Sequence, residues 1–332
     1  MTKEKILITG ASGFVGSFLV EEALSRDLEV YAGIRKSSST RYLQDERINL
    51  CYPDFESEEN LIKLIDEIGI DYIIHNAGVT RAQNSAEYFR INSDYTVRLA
   101  KAAMNATTGL KKFVFMSSLE AYGSADNTPQ GYLEENSPQN PRTEYGKSKL
   151  RAEKELQQIT DLPWIILRPT GVFGPREKDF LSIFQTIKKY RIAPVVGTDK
   201  IKYTFVYVKD LVRVSLDAVI APLVQRSYFV NDGKIYSIKN FTGAIAKALD
   251  LKPFSITIPY LLLDGVVILT GLLDKVTGSK SLLNEEQLAK MKAQNWDADI
   301  SPLVKDFGYC SQYTLEDAIL ETTKWYEEAD LL

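Results

Sequence analysis

The run Lys5-Ile6-Leu7-Ile8-Thr9 leads directly into Gly10-Ala11-Ser12-Gly13-Phe14-Val15-Gly16, and then into the helical pattern Phe18-Leu19-Val20-Glu21-Glu22-Ala23-Leu24. No other stretch constrains the fold as tightly. A short apolar run bounded by glycines reads as a buried strand. The glycines let the backbone turn sharply, and the helix that follows presents free N–H groups at its N-terminus. The rhythm then repeats. Strand patterns cover residues 29–34, 48–52, 71–75, 112–116 and 164–167, and helical patterns cover 61–68, 88–106 and 145–159. Strands alternating with helices predict an α/β fold with a parallel, doubly wound sheet covered by helices on both faces.

The glycine spacing is GxxGxxG rather than GxGxxG. In its strand–turn–helix context it predicts a Rossmann-type site for a dinucleotide pyrophosphate. Taken alone, the motif is equally a tight turn with no ligand. After Pro175 the alternation loosens into a helix over 180–190, a strand over 204–208, a helix over 210–219, a strand over 227–230 and a closing helix over 315–329. The expected organisation is a dinucleotide-binding domain over 1–175 with return segments near 201–232. A smaller, interwoven C-terminal α/β substrate domain is expected over 176–332, with the cleft at the carboxyl ends of the strands.

Composition removes several classes of function. Among 332 residues the net charge is −4, which leaves no electrostatic footprint for nucleic acid. A single histidine, His75, rules out a histidine metal cluster, and no nucleophile-elbow motif accompanies it. It reads as a strand-end residue. Cys51 and Cys310 have no metal or redox spacing and are expected as free thiols. No targeting segment is visible, so the expected location is cytoplasmic. Residues 256–273 are apolar, but Pro259, Asp264, Gly265 and Gly271 interrupt them. They are expected as a buried amphipathic helix rather than a membrane span.

The chemistry-bearing residues lie downstream. Tyr145 and Lys149, in Tyr145-Gly146-Lys147-Ser148-Lys149, are one helical turn apart and share a face. A free tyrosine is a poor base at neutral pH, and a neighbouring ammonium favours its phenolate. Such a pair suits general acid/base work, although an isolated pair of this kind is usually only surface. Ser117 and Ser118 follow a strand end, where a hydroxyl can polarise a carbonyl oxygen or merely cap a turn. Asn92 faces inward on its helix, either as a brace behind the lysine or as a satisfied buried amide.

Together these segments resemble the extended short-chain dehydrogenases/reductases, the NAD(P)-dependent epimerase/dehydratase family, and within it the dihydroflavonol-reductase and 3β-hydroxysteroid-dehydrogenase branch. The matching pieces are GASGFVG at 10–16, PDF at 53–55, HNAG at 75–78, Asn92, MSSLEAYG at 116–123, SPQNPRTEYGKSK at 137–149, RPTGVFGP at 168–175 and FVYVKDL at 205–211. The resemblance implies Tyr145 as general acid/base, Lys149 as its ribose-binding partner, Ser118 as the substrate-polarising hydroxyl and Asn92 as part of the catalytic set. It implies cofactor contacts from Gly10, Ser12, Gly13, Phe14, Val15 and Gly16. Further contacts are implied from Asp54 and Phe55 at the adenine, Ala77 and Gly78 on the adjoining backbone, and Pro169, Thr170 and Val172 at the nicotinamide. A homodimer through helices near 86–106 and 145–160 is likewise an expectation from the family.

Cofactor choice has its own physical argument. NAD-preferring sites end the second strand with an acid that binds the ribose 2′-OH. This chain has Gly33-Ile34-Arg35-Lys36 there, followed by three serines. With no carboxylate to repel a 2′-phosphate and Arg35 able to pair with it, the expectation is NADP(H) over NAD(H). Leu119 and Glu120 stand where dehydratases carry Asp-Glu, which disfavours dehydration, and Thr170 stands in a segment where many nucleotide-sugar enzymes have Asn. The expected activity is hydride transfer between nicotinamide and a carbonyl or alcohol of an uncharged or bulky small molecule. A nucleotide-sugar epimerase with retained cofactor and a non-catalytic NADP-binding protein are the alternatives.

Overall fold

The computed structural model describes residues 3–198, 200–260 and 292–332. In chain order the strands are β1 (Lys5–Thr9), β2 (Glu29–Gly33), β3 (Ile48–Cys51), β4 (Tyr72–His75), β5 (Lys112–Met116), β6 (Trp164–Pro169), β7 (Gly171–Phe173), β8 (Ile192–Val196), β9 (Phe205–Tyr207), β10 (Arg226–Val230) and β11 (Phe254–Ile258). The helices are α1 (Phe14–Ser25), α2 (Glu58–Ile68), α3 (Ser85–Phe89), α4 (Tyr95–Asn105), α5 (Glu144–Gln157), α6 (Leu181–Tyr190), α7 (Val208–Ile220), α8 (Ile238–Ala248), α9 (Ser301–Phe307) and α10 (Leu315–Glu328).

Seven parallel strands form one sheet in the order β10-β6-β5-β4-β1-β2-β3. The chain runs outward from β1 to β3 and then returns to β4 on the other side of β1. The reversal leaves a crevice at the carboxyl ends of β1 and β4, the place where doubly wound sheets bind ligands. Gly10 and Asn76-Ala77-Gly78 lie on its two sides.

The continuous apolar runs follow from burial on both faces. Ile6, Ile8, Ile74, Val114 and Ile165 enter the core shared with α1 and α7. Their neighbours Leu7, Ile73, Phe113, Phe115 and Ile166 enter the opposite core, with Leu61, Leu99 and Leu156. Each fully buried side chain of this size contributes about 1.5–3 kcal/mol. α1 and α7 pack together on one face, and α2, α4 and α5 on the other.

Several sequence expectations are corrected. The helical pattern over 88–106 is interrupted by a π-helical turn, Arg90–Asp94, between α3 and α4. Asn92, Thr96, Leu99 and Ala103 are nonetheless all buried. The strand predicted over 204–208 is limited to β9, because helical hydrogen bonding already begins at Val208. β7 and β8 lack an alternation long enough to be read from sequence, and each is fixed by pairing, with β9 and β11 respectively. The apolar stretch from 256 was expected to be helical. Its first residues instead belong to β11, an exposed strand with Phe254 78% accessible, and residues 261–273 lie outside the described residues. Among the described residues no helix is long and apolar enough to cross a membrane.

Candidate active site

The glycine turn is built around close approaches. Gly10 has φ +67°, and a Cβ on Gly16 would lie 2.0 Å from the Gly10 carbonyl oxygen, so a side chain there would push α1 off the turn. No side chain caps α1, and its first turn carries no acid. α2, α5, α8 and α10 are capped by Ser57, Thr143, Ser237 and Thr314. The uncapped N–H groups and the helix dipole favour a phosphate at the start of α1.

In front of them is a cleft of about 590 Å³. Of the residues read from sequence as cofactor contacts, Gly10, Ser12, Gly13, Phe14, Val15, Arg35, Phe55, Ala77 and Gly78 line it. Gly16 lies under the turn. Asp54 is not part of the lining. It is exposed and accepts hydrogen bonds from Asn60 Nδ2 at 2.8 Å and the Glu56 N–H at 3.1 Å. Pro169, Thr170 and Val172 are also outside the lining, and the buried Thr170 hydroxyl has no hydrogen-bond partner.

Arg35 is exposed at the lip, in a turn closed by Ser38 N–H donating to Arg35 O at 2.9 Å. Ser38 also lines the cleft, and among the described residues no carboxylate pairs with Arg35.

The far wall comes from residues that sequence reasoning missed, Arg176 to Asp179. The Arg176 guanidinium lies 4.2 Å from the Phe18 ring and 4.5 Å from the Tyr42 ring, and donates to Ser17 Oγ at 2.9 Å. This joins the segment after β7 to α1. The charged run Arg-Glu-Lys-Asp directly after Gly174-Pro175 was the available signal.

Ser118, Tyr145, Lys149 and Asn92 are likewise outside the lining, behind Gly78, and there α5 is capped by Thr143, whose Oγ1 accepts from the Gly146 N–H at 2.9 Å and donates to Glu120 at 2.9 Å. Tyr145 and Lys149 stand on the first turns of this helix. Ser118 caps the short 3-10 turn Leu119–Ala121 and is hydrogen-bonded to Tyr145. Ser117 points below the site, where its hydroxyl donates to Glu153. Glu153 also takes a two-pronged ion pair from Arg168, both side chains 1% exposed.

Lys149 is 3% exposed. Its Nζ donates to Met116 O at 2.7 Å and lies 4.7 Å from the Phe115 ring centroid. Burial lowers its pKa to about 8, against an opposing pull from Glu153. Burial and then Glu120 push the Tyr145 phenol above its usual value, while the bond to Ser118 opposes them. The shift runs opposite to the phenolate-favouring one expected from the Tyr145–Lys149 spacing, because burial outweighs the neighbouring amine, and the phenol is protonated at neutral pH.

Asn92 is satisfied on every side, and it is also a brace. Its Oδ1 accepts from the Val79 N–H at 2.8 Å. Its Nδ2 donates to Val79 O and to Ser148 Oγ, both at 3.0 Å. The π turn places Asn92 between the loop after β4 and α5, a use often found for such turns at functional sites.

A doubly wound sheet with a glycine cradle at its switch point and a Ser/Tyr/Lys cluster beside it defines a dinucleotide-dependent enzyme class. The sequence model of the NAD dependent epimerase/dehydratase family matches residues 6–228. The chain belongs to that family and is an enzyme using a nicotinamide cofactor. It is 25% identical to UDP-glucose 4-epimerase of Vibrio cholerae, over 98% of this chain and 97% of that one. It is also 25% identical to ceramide reductase of Caulobacter vibrioides, over 98% and 96%. The structure of Bordetella bronchiseptica WbmG in complex with NAD superposes with a TM-score of 0.78 at 20% identity, covering 99% of this chain and 96% of that one.

Proposed function

We propose that this protein is an NADP(H)-dependent carbonyl reductase or alcohol dehydrogenase acting on an uncharged or bulky small molecule. The observation that carries the reading is the protonated Tyr145 phenol bonded to Ser118 one turn from the buried Lys149. The nicotinamide, when bound, supplies or accepts the hydride. Ser118 holds the substrate oxygen, and Tyr145 passes its proton to that oxygen as negative charge develops there. Lys149, charged below a pH of about 8, stabilises the phenolate left behind. Met116 O fixes its amine, and Asn92 ties the Val79 loop to the same helix.

Arg35 and Ser38 at the lip, with no carboxylate beside them, support a 2′-phosphate and hence NADP(H). In this reading residues 1–175 and the return near 201–232 hold the dinucleotide, with Arg176–Asp179 completing the cleft wall, while the rest of 176–332 shapes the substrate side. β10 supports the return segment by joining the main sheet. The decisive assay is oxidation of NADPH and NADH against a panel of apolar ketones. Turnover that prefers NADPH and is lost in Tyr145→Phe supports the proposal.

The relation to UDP-glucose 4-epimerase favours a second reading, interconversion of a nucleotide sugar on retained cofactor. That reading requires the purified protein to carry tightly bound nicotinamide and to be stabilised by a UDP-sugar. A reductase binds cofactor reversibly and ignores the sugar nucleotide.

A further inference from the structure

The chain's one histidine ends β4 fully buried, directly before the Asn76-Ala77-Gly78 wall of the cleft. Its ring is stacked on Phe115 at 6.0 Å and tilted against Phe55 at 5.8 Å and Phe113 at 6.2 Å. Both ring nitrogens have partners on other elements. Nδ1 is 2.8 Å from Thr9 Oγ1, and Nε2 is 3.0 Å from Thr96 Oγ1.

Counting hydrogens fixes the direction of each bond. The Thr96 hydroxyl has one hydrogen, and it goes to Asn92 O at 2.8 Å. Thr96 Oγ1 must then accept from His75 Nε2–H, which leaves a lone pair on Nδ1. That lone pair accepts from the Thr9 hydroxyl, and Thr9 Oγ1 accepts in turn from the Ala77 N–H at 3.1 Å. The neutral Nε2–H tautomer satisfies every contact. In the other neutral tautomer the Thr96 hydroxyl either faces the Nε2 lone pair with its own or turns to Nε2 and gives up its bond to Asn92 O. A buried polar group left unpaired in that way costs about 1–3 kcal/mol.

We propose that His75 is a positioning residue joining the cofactor wall to the catalytic helix, with Nδ1 serving the wall and Nε2 serving the helix. On one side the chain of bonds reaches Thr9, the residue before Gly10, and Ala77, which lines the cleft. On the other side it runs through Thr96 to the Asn92 carbonyl. The Asn92 amide binds Ser148 Oγ, which donates to Tyr145 O at 2.7 Å. The charged group acting on the ring is Lys149, and the remaining neighbours are the two threonines and three phenylalanines named above. Burial and then Lys149 lower the imidazole pKa to about 3, so the ring stays neutral, with its single proton on Nε2.

Two substitutions separate the two bonds. In His75→Asn the amide oxygen falls near Nδ1 and keeps the acceptor for Thr9. In His75→Gln the amide nitrogen reaches the Nε2 position and keeps the donor to Thr96. His75→Gln should weaken NADPH binding by about fivefold with kcat within about twofold. His75→Asn should lower kcat by about fivefold with NADPH affinity within about twofold. Equal losses in both variants, or unchanged kinetics with only a lower Tm, would overturn the proposal.

The kinetic half rests on the proposed reductase reading and the NADPH titration on its choice of NADP(H), whereas ring-nitrogen NMR rests on neither. With one histidine, the imidazole gives a single pair of nitrogen signals. They should report neutral Nε2–H unchanged between about pH 5 and 9. An Nδ1–H tautomer, or titration within that range, sinks the bonding scheme even if turnover is found. Absent turnover with the expected spectrum and the expected NADPH effect of His75→Gln sinks only the reductase reading.

Discussion

The buried Tyr145–Lys149 cluster and the lip of the cleft are built on opposite electrostatic terms. In the cluster, the inner end of the site behind Gly78, Lys149 is 3% exposed, and its amine is held by a backbone carbonyl over an aromatic ring. At the lip Arg35 is exposed, with no carboxylate partner among the described residues. Burial at the inner end moves proton affinities, raising that of the Tyr145 phenol and lowering that of the Lys149 amine. Exposure at the lip leaves a full charge in water, where it selects ligands by sign and geometry and is screened by salt. In the proposed reading, reactivity is therefore a property of packing, and cofactor selection a property of an open turn.

The strongest test of that contrast is Tyr145→Phe. It should lower kcat by about 10²–10⁴-fold, the usual share of general acid catalysis, and leave NADPH affinity nearly unchanged by titration. A parallel loss of cofactor affinity would mean that the two ends are not separable. Next in size is Arg35→Ala, expected to weaken NADPH by roughly tenfold or more and NADH little, with the difference shrinking as salt rises. Equal weakening of both cofactors would remove the assigned role.

The pH dependence sharpens the inner end. Lys149 has its pKa lowered from 10.5 to about 8, so it is charged below that pH and neutral above it. Ketone reduction should fall as pH rises through about 8, and Lys149→Met should flatten that limb along with reducing the rate. The same shift has a consequence for stability. Between about pH 8 and 10.5 the unfolded chain holds a proton at Lys149 that the folded chain has released, so the cost of burying the charged amine fades and stability rises with pH across that window. The difference between wild type and Lys149→Met in urea melts at several pH values reads it. The smallest expected effect belongs to Asp54→Ala. Its carboxylate faces Asn60 at 2.8 Å outside the cleft lining, so NADPH affinity should change by no more than about threefold.

Much of this was legible before folding. The doubly wound sheet follows from strand runs buried on both faces, whose residues go alternately to two cores. The glycine turn and the Tyr145–Lys149 spacing are local, and local spacing survives into the structure. What stayed hidden depends on distant partners. Arg176 reaches Phe18 and Ser17 from more than 150 positions away, β7 exists through its pairing with β9, and Ser117 finds its partner in Glu153, 36 positions on. The exposed β11 shows the opposite failure, since apolar content alone did not distinguish strand from helix.

The sequence by itself determined the order of the elements, the position of the switch point and the residue types available for chemistry, because these depend on periodicity and on neighbours within one turn. Only the tertiary structure decided that Ser117 bonds Glu153, which way the imidazole of His75 bonds, and how far burial moves the proton affinity of Lys149. Those outcomes depend on how much water is excluded and on which groups from remote strands and helices fill the space. Neither can be read from residues adjacent along the chain.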